Sequence, residues 1–355
     1  MNQLTKINRI LLFILLIVVF LYWGAPFLIP FIFGIFFAFL VVPLCNLLEK
    51  IKINRTIASL LSTLVVFIVI GGTLFLIITQ INLFVSDMPA MEDKIESFIE
   101  SSQNKIESIT NLSLGEQDEI FEEKSGQIIE KIEPFITGFF GNVFSTVFSF
   151  LLVLVYVFLL LLYRQKIFDF LMMYINKTEE DSAEETLSDI SKVVFHYLWG
   201  RAKVMILLGI MFFITFILFG LPYALLFSLF GAVITIIPYF GPLISGLLPI
   251  SFSLLYFDSL QKVLILTVVI IVIQIIESYI LDPLILGKEI ELNPLVIIIA
   301  IVVGGLIWGL AGMILFVPIF AMIKIISLNH SGLQPIGFLF GQGEKEEFKN
   351  RKNKS

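Results

Sequence analysis

The sequence predicts an all-α, polytopic transmembrane protein with about eight membrane segments, some broken or re-entrant, and one external helical insertion. Three observations carry this reading. The 355 residues are 58% hydrophobic and only 15% charged, with 37 Phe, whereas a soluble chain is about a quarter charged. Val204 to Phe257 runs 54 residues without an Asp, Glu, Lys or Arg. As one helix it would be roughly 80 Å long, against a hydrocarbon core of about 30 Å, so it enters the bilayer more than once. Within it lies Ile237-Pro238-Tyr239-Phe240-Gly241-Pro242, followed by Gly246 and Pro249. Broken backbone at membrane depth is tolerated only where protein buries it or it lines a wet cavity.

The segments follow from the uncharged runs. Lys6 and Arg9 precede an apolar run from Ile10 to Trp23. No small-residue cleavage signature follows, which predicts an uncleaved first span. Ile10 to Leu48 accommodates two short spans turning near Gly24-Ala25-Pro26, and Thr56 to Ser86 gives a third. Pro134 to Tyr163 gives a fourth. The fifth begins near Tyr197 and runs to Phe219. Leu221–Phe257 is a broken sixth, Val263–Leu281 a seventh, and Leu292–Ile323 a long, glycine-broken eighth. The predicted organisation is therefore spans one to three over 1–86, an external acidic helical module over 87–133, span four over 134–163, and a cytoplasmic helical linker over 164–195. A transmembrane core with broken segments over 196–326 and a cytoplasmic tail over 327–355 complete it.

Between Asp87 and Glu133 there are thirteen Asp or Glu and four Lys. Apolar residues recur there at helical spacing (Met88, Met91, Ile95, Phe98; later Ile128, Ile129, Ile132). This predicts a solvated helix–turn–helix whose thin apolar stripe packs on the membrane part or on neighbouring subunits. Lys and Arg near span ends favour the cytoplasm. Lys50, Lys52 and Arg55, then Arg164, Lys166 and Lys192, then Lys324 and the basic tail fall on one side, with both termini cytoplasmic. Eight crossings, or six with Leu221–Phe257 and Leu292–Ile323 dipping in and returning, satisfy this parity equally.

Ionisable groups inside spans are costly and mark function. Glu277 sits in the seventh span with Gln274, Ser278 and Asp282 nearby. Positions 274, 277, 278 and 281 share one face of an α-helix, so this polar stripe should face the protein interior and serve as a solute or proton site. Its plainer reading is a clamp between helices. Arg201 and Lys203 open the fifth span, where they either snorkel to the surface or pair with Glu277 or an anionic substrate. Pro238, Tyr239, Gly241, Pro242, Gly246 and Pro249 form one backbone break. Gly304, Gly305, Gly309, Gly312 and Pro318 form a second. Paired interruptions of hydrophobic segments point to a transporter's binding region.

The single cysteine, Cys45, excludes an intramolecular disulfide and reads as a small packing residue. Two His are too few for a His-only zinc site, and no metal or cofactor is expected. Phosphate loops, H-E-x-x-H and G-x-S-x-G motifs are absent, so neither an enzyme nor a self-powered pump is predicted. Basic patches are too short for nucleic acid.

Gly220-Leu221-Pro222-Tyr223-Ala224, the Ile237–Pro242 run, Gln274 with Glu277, Pro283 and Gly287, Leu292-Asn293-Pro294-Leu295, and Gly304, Gly305, Gly309, Gly312 and Pro318 together resemble the autoinducer-2 exporter family of bacterial membrane proteins. The order and spacing match over roughly residues 195–326, and the first half matches in layout. The resemblance implies an inner-membrane protein of about eight spans, a homo-oligomer, and transport either of the quorum-sensing furanone autoinducer-2 or of sodium or lithium against protons. One departure stands out: where the family reads Arg-Gly-Gln, this chain has Trp199-Gly200-Arg201.

The expectation is thus a bacterial cytoplasmic-membrane exporter of a small polar solute, best matched by an autoinducer-2-like molecule and coupled to a proton or sodium gradient. The alternatives are a cation/proton antiporter using Glu277 and Asp282, and a non-transporting scaffold whose external module binds a partner.

Overall fold

The computed structural model describes residues 3–87, 143–173, 180–286, 292–329 and 332–342. The described residues are helical apart from turns and one isolated bridge between Leu292 and Gly341. The external module expected at 87–133 lies outside them except for Asp87, as do residues 134–142 of the fourth span and the tail beyond Gln342. Among the described residues, six stretches are long and apolar enough to cross a membrane. Much of their apolar surface points outward, as at Phe13, Leu218, Leu284 and Leu306. This is a multi-pass membrane protein.

The chain opens with α1 (Gln3–Trp23) and α2 (Ala25–Lys50). They part at Gly24, where a Cβ would come within 2.6 Å of the Phe20 carbonyl. Pro26 follows at the start of α2, where a missing N–H costs nothing. Gly34 lets α5 (Val143–Met173) close on α2, because a Cβ there would meet Tyr156 at 2.6 Å. The side-chain oxygen of Asn54 caps α3 (Arg55–Val66) by accepting from the Thr56 amide at 3.1 Å. The small residues Ala58, Ser59, Ser62 and Thr63 form the buried face of α3. A wide π turn, Phe67–Gly71, leads into α4 (Gly72–Ser86). The core of this N-terminal bundle is Ala38, Val41, Cys45, Ala58, Val66, Val153, Val157 and Leu161. Cys45 is fully buried in it. Arg164 closes one end, pairing with Glu49 and donating to the Asn46 side chain at 2.9 Å. The basic ends of α2 and α5 therefore share one face of the molecule.

Helix α6 (Glu180–Phe219) is continuous over 40 residues, so the predicted linker helix and fifth span form one rod. Gly220 and Tyr223, both at positive φ, reverse the chain into α7 (Ala224–Ile234). At 11 residues α7 is about 17 Å long, too short to cross. A turn at 235–239 sends α8 (Phe240–Tyr256) back. The two helices lie so close that a Cβ on Gly241 would overlap the Ile234 carbonyl and the Thr235 backbone. The broken sixth segment is thus a helical hairpin.

Helix α9 (Leu260–Ile276) continues through a π turn, Glu277–Leu281, into α10 (Asp282–Ile285). Pro283 has no N–H to give the preceding turn, and the wide turn ends where it sits. The last long stretch, α11 (Pro294–Asn329), breaks at Trp308 (φ −127°, ψ 15°) and Gly309 (φ 58°, ψ −138°). Gly304 and Gly312, about 12 Å apart along a straight helix, are in backbone contact. This segment too is a hairpin. Helix α12 (Gln334–Phe340) packs back on it, and the Asn293 amide donates to the Phe340 carbonyl at 2.8 Å, closing the open end.

Both hairpins share one buried cluster. Ile237, at the tip of the first, belongs with Val296, Ala300 and Ile301 of one arm of the second and Leu315 and Phe316 of the other.

Candidate functional site

Three elements converge on one buried polar cluster. Arg201 comes from α6, Glu277 from the first position of the π turn, and Asp282 from the first position of α10. Gly200 makes this possible, because a Cβ there would strike the Leu286 side chain at 2.6 Å. Without that clearance α6 and α10 would stand further apart. Arg201 is 7% exposed and Glu277 2%. One guanidinium nitrogen, Nη1, serves both acids: it lies 3.2 Å and 3.5 Å from the two Asp282 oxygens and 3.9 Å from Glu277 Oε1. Glu277 Oε2 and Arg201 Nε are buried without a hydrogen-bond partner among the described residues. The cluster carries two acids and one base. An unpaired charge is expensive in a low-dielectric interior.

Gln274, one turn before Glu277, points the same way. Its Nε2 donates to the Pro242 carbonyl at 2.6 Å, and the Ser245 hydroxyl donates to the same oxygen at 2.9 Å. A Cβ on Gly246 would sit 2.6 Å from the Gln274 Nε2, so only glycine leaves room for this contact. Pro249 is buried inside α8 and cannot donate to the Ser245 carbonyl. Tyr239 holds φ 65° in the hairpin turn and is 55% exposed, next to the half-buried Pro238. The structure therefore brings Gln274, Glu277, Asp282, Arg201, Gly241, Pro242 and Gly246 into one region.

Ser278 does not join them. It is exposed, because the buried face of this helix runs through Leu266, Ile270, Ile273 and Glu277 and the next residue stands about 100° round the helix from 277. Gly304 and Gly312 mark the crossing point of the second hairpin, Gly309 its turn, and Gly305 faces Met313. Pro318 is buried in the returning arm. These residues shape the hairpin and bring no polar side chain to the acids.

Two contacts were invisible in the sequence. The Trp308 indole, at the tip of the second hairpin, donates to the Leu21 carbonyl at 2.8 Å. The Trp199 indole donates to the Leu40 carbonyl at 3.0 Å. Both accepting carbonyls lie close to proline breaks, at Pro26 and Pro43, and only that proximity could have pointed to them. At the opposite end of the bundle, the Tyr223 hydroxyl donates to Asp87 at 2.7 Å.

Among the described residues no group of three or more His, Cys, Asp or Glu could hold a metal ion. A groove of about 460 Å³ between α1 and the second hairpin is lined by Val18, Tyr22, Trp23, Val303, Leu306 and their neighbours. It offers a polar solute nothing comparable to the Glu277 cluster.

The chain was compared with known proteins. Residues 11–331 match the family described as AI-2E family transporter. The Bacillus subtilis protein YrrI, provisionally named a transport protein, is 27% identical over 309 residues that cover 85% of this chain and 86% of that protein. The Escherichia coli protein TqsA, named an AI-2 transport protein, is 23% identical over 326 residues, 91% of this chain and 92% of TqsA. A Thermotoga maritima protein, also provisionally named for transport, is 25% identical over 299 residues, 82% and 84% of the two chains. The match spans both hairpins and the helices that carry Arg201, Glu277 and Asp282, and the chain belongs to the AI-2E family of transporters.

Proposed function

We propose that this protein exports a small polar solute, best matched by an autoinducer-2-like signalling molecule, across the bacterial cytoplasmic membrane and couples export to an ion gradient. One observation carries the reading: a buried carboxyl with an unpartnered oxygen, Glu277 Oε2, next to a hairpin whose broken backbone lies at membrane depth. Gln274 and the Pro242 carbonyl supply polar contacts, and Pro238, Tyr239 and Gly241 supply the open backbone. The relationship to TqsA supports this substrate class. In this reading the basic ends of α2 and α5 face the cytoplasm with both termini, the 87–133 module is external, and the chain works as a homo-oligomer in the lipid bilayer.

The test is accumulation of the signal outside cells that lack the protein, complemented by the wild type or by Glu277→Gln. Restored export by the wild type but not by the variant, at equal membrane levels, supports the reading. Equal restoration by both removes Glu277 from the path. A second reading, sodium(lithium)/proton antiport, is favoured by the paired carboxyls of Glu277 and Asp282. It predicts sodium-dependent proton flux in proteoliposomes holding a pH-sensitive dye.

A further inference from the structure

The polar cluster contains a feature that neither transport reading requires. Two acids, Glu277 and Asp282, face each other across a gap, and a single nitrogen lies between them. Arg201 Nη1 is within 3.5 Å of both Asp282 oxygens and 3.9 Å from Glu277 Oε1. Both acids are met by this one nitrogen rather than by a parallel pair, and Nε is buried without a hydrogen-bond partner among the described residues. An arginine placed to recognise one carboxylate engages it with two parallel N–H bonds. Here it acts as a point charge shared by two acids, which is what a bound monovalent cation would do.

We propose that Arg201 is a tethered counter-cation. From its own side chain it fills the seat between Glu277 and Asp282 that a dissolved monovalent cation would otherwise take, and so makes this membrane site independent of sodium and lithium. The inference rests on reading Glu277 as the working carboxyl, and it names which ion that carboxyl uses. With the seat filled, the acid oxygen still open among the described residues is Glu277 Oε2, which a proton satisfies without a coordination shell. A sodium ion needs several oxygen ligands, and the nearby donors are committed: the Pro242 carbonyl already accepts from Gln274 and Ser245.

The charged and titratable groups around the seat support this. Tyr197, one turn earlier on α6, lies beside the guanidinium and is itself buried. Lys203, on the same helix, is exposed. Among the described residues, α6, α9 and α10 bring no further acid to the cluster. A neutral side chain at position 201 would leave the buried Glu277 and the partly exposed Asp282 without their shared counter-charge.

The experiment uses the full chain, purified in lipid nanodiscs, at alkaline pH so that protons do not compete for the acids. Its thermal midpoint is measured in sodium, lithium and choline chloride at equal ionic strength, alongside binding of radioactive sodium. The wild type and Arg201→Lys, which keeps a tethered charge, should show the same midpoint in all three salts and no saturable sodium binding. Arg201→Gln should lose stability in choline and regain it in sodium or lithium, saturably, by about 3 °C or more. The double variant Arg201→Gln/Glu277→Gln should lose that rescue, which a merely structural arginine would not produce. A wild-type protein that binds sodium saturably or is stabilised by it specifically overturns the proposal, and so does a folded Arg201→Gln protein indifferent to the cation. Should Arg201→Gln fail to fold in any salt, the wild-type and Arg201→Lys measurements still decide. These binding outcomes do not depend on which solute is exported, so failure of the export assay leaves them intact.

Discussion

The acid at position 277 is held by what surrounds it. Arg201 Nη1 lies 3.9 Å from one of its oxygens and the other has no hydrogen-bond partner among the described residues, so the group is paired but not saturated. Glu277→Gln keeps the shape and the Oε1 contact while removing the exchangeable charge. It should lower transport in proteoliposomes by about tenfold or more with little change in thermal midpoint; unaltered transport would separate the residue from the mechanism. Removing the base is a different perturbation. Arg201→Ala leaves the buried Glu277 and the partly exposed Asp282 without a counter-charge, an arrangement that costs up to about 3–5 kcal/mol, read as a fall in unfolding midpoint in sodium-free buffer. Glu277 was legible in the sequence because a carboxyl in an apolar run has few innocent explanations. Its partnership with Arg201 was not, because an arginine at the start of a span has the same signature when it snorkels. Ser278 was assigned to the inward face by its spacing from Gln274, but the buried face is centred on Ile270, Ile273 and Glu277, and position 278 stands about 100° away from it.

Each hairpin is set by a few backbone positions. In the second, Gly312 meets the backbone of Gly304, which cannot move aside, whereas Gly305 meets the flexible end of Met313. Gly312→Ala should therefore destabilise the protein by about 1–3 kcal/mol, and Gly305→Ala by clearly less. Thermal unfolding of the two variants side by side checks the order, and equal effects would contradict the backbone crossing. The Trp308 indole ties this hairpin's tip to α1 through the Leu21 carbonyl. Trp308→Phe keeps the aromatic packing on Phe316 but leaves that carbonyl unpaired, a loss of about 0.5–1.5 kcal/mol. The density of Pro and Gly showed where the helices break. It did not show that they reverse, because a kink and a turn draw on the same residues. What decides is contact in space: Gly304 with Gly312, and Gly241 with Ile234 and Thr235.

Across the whole molecule, an N-terminal bundle of α1 to α5 meets a core of α6 to α11. Side-chain hydrogen bonds join them at three heights: Trp199 to Leu40, Trp308 to Leu21, and Tyr223 to Asp87. Because the first hairpin enters and returns, Gly220 and Asp258 belong to one face, and the Arg164–Glu49 end to the other. Single cysteines at 220 and 258 should react with an impermeant thiol reagent from the same side of the membrane, and one at 165 from the opposite side. Labelling of 220 and 258 from opposite sides would mean that the segment crosses. The central claim is that the tip of this hairpin lines a solute route. The most direct measurement places a cysteine at Tyr239, already exposed and already at positive φ, with the fully buried Cys45 left in place. A hydrophilic thiol reagent should modify position 239 in membranes, and the exported solute should slow that reaction. A thiol that reacts only with lipid-soluble reagents, at a rate the solute does not change, would place the turn among acyl chains and contradict the route.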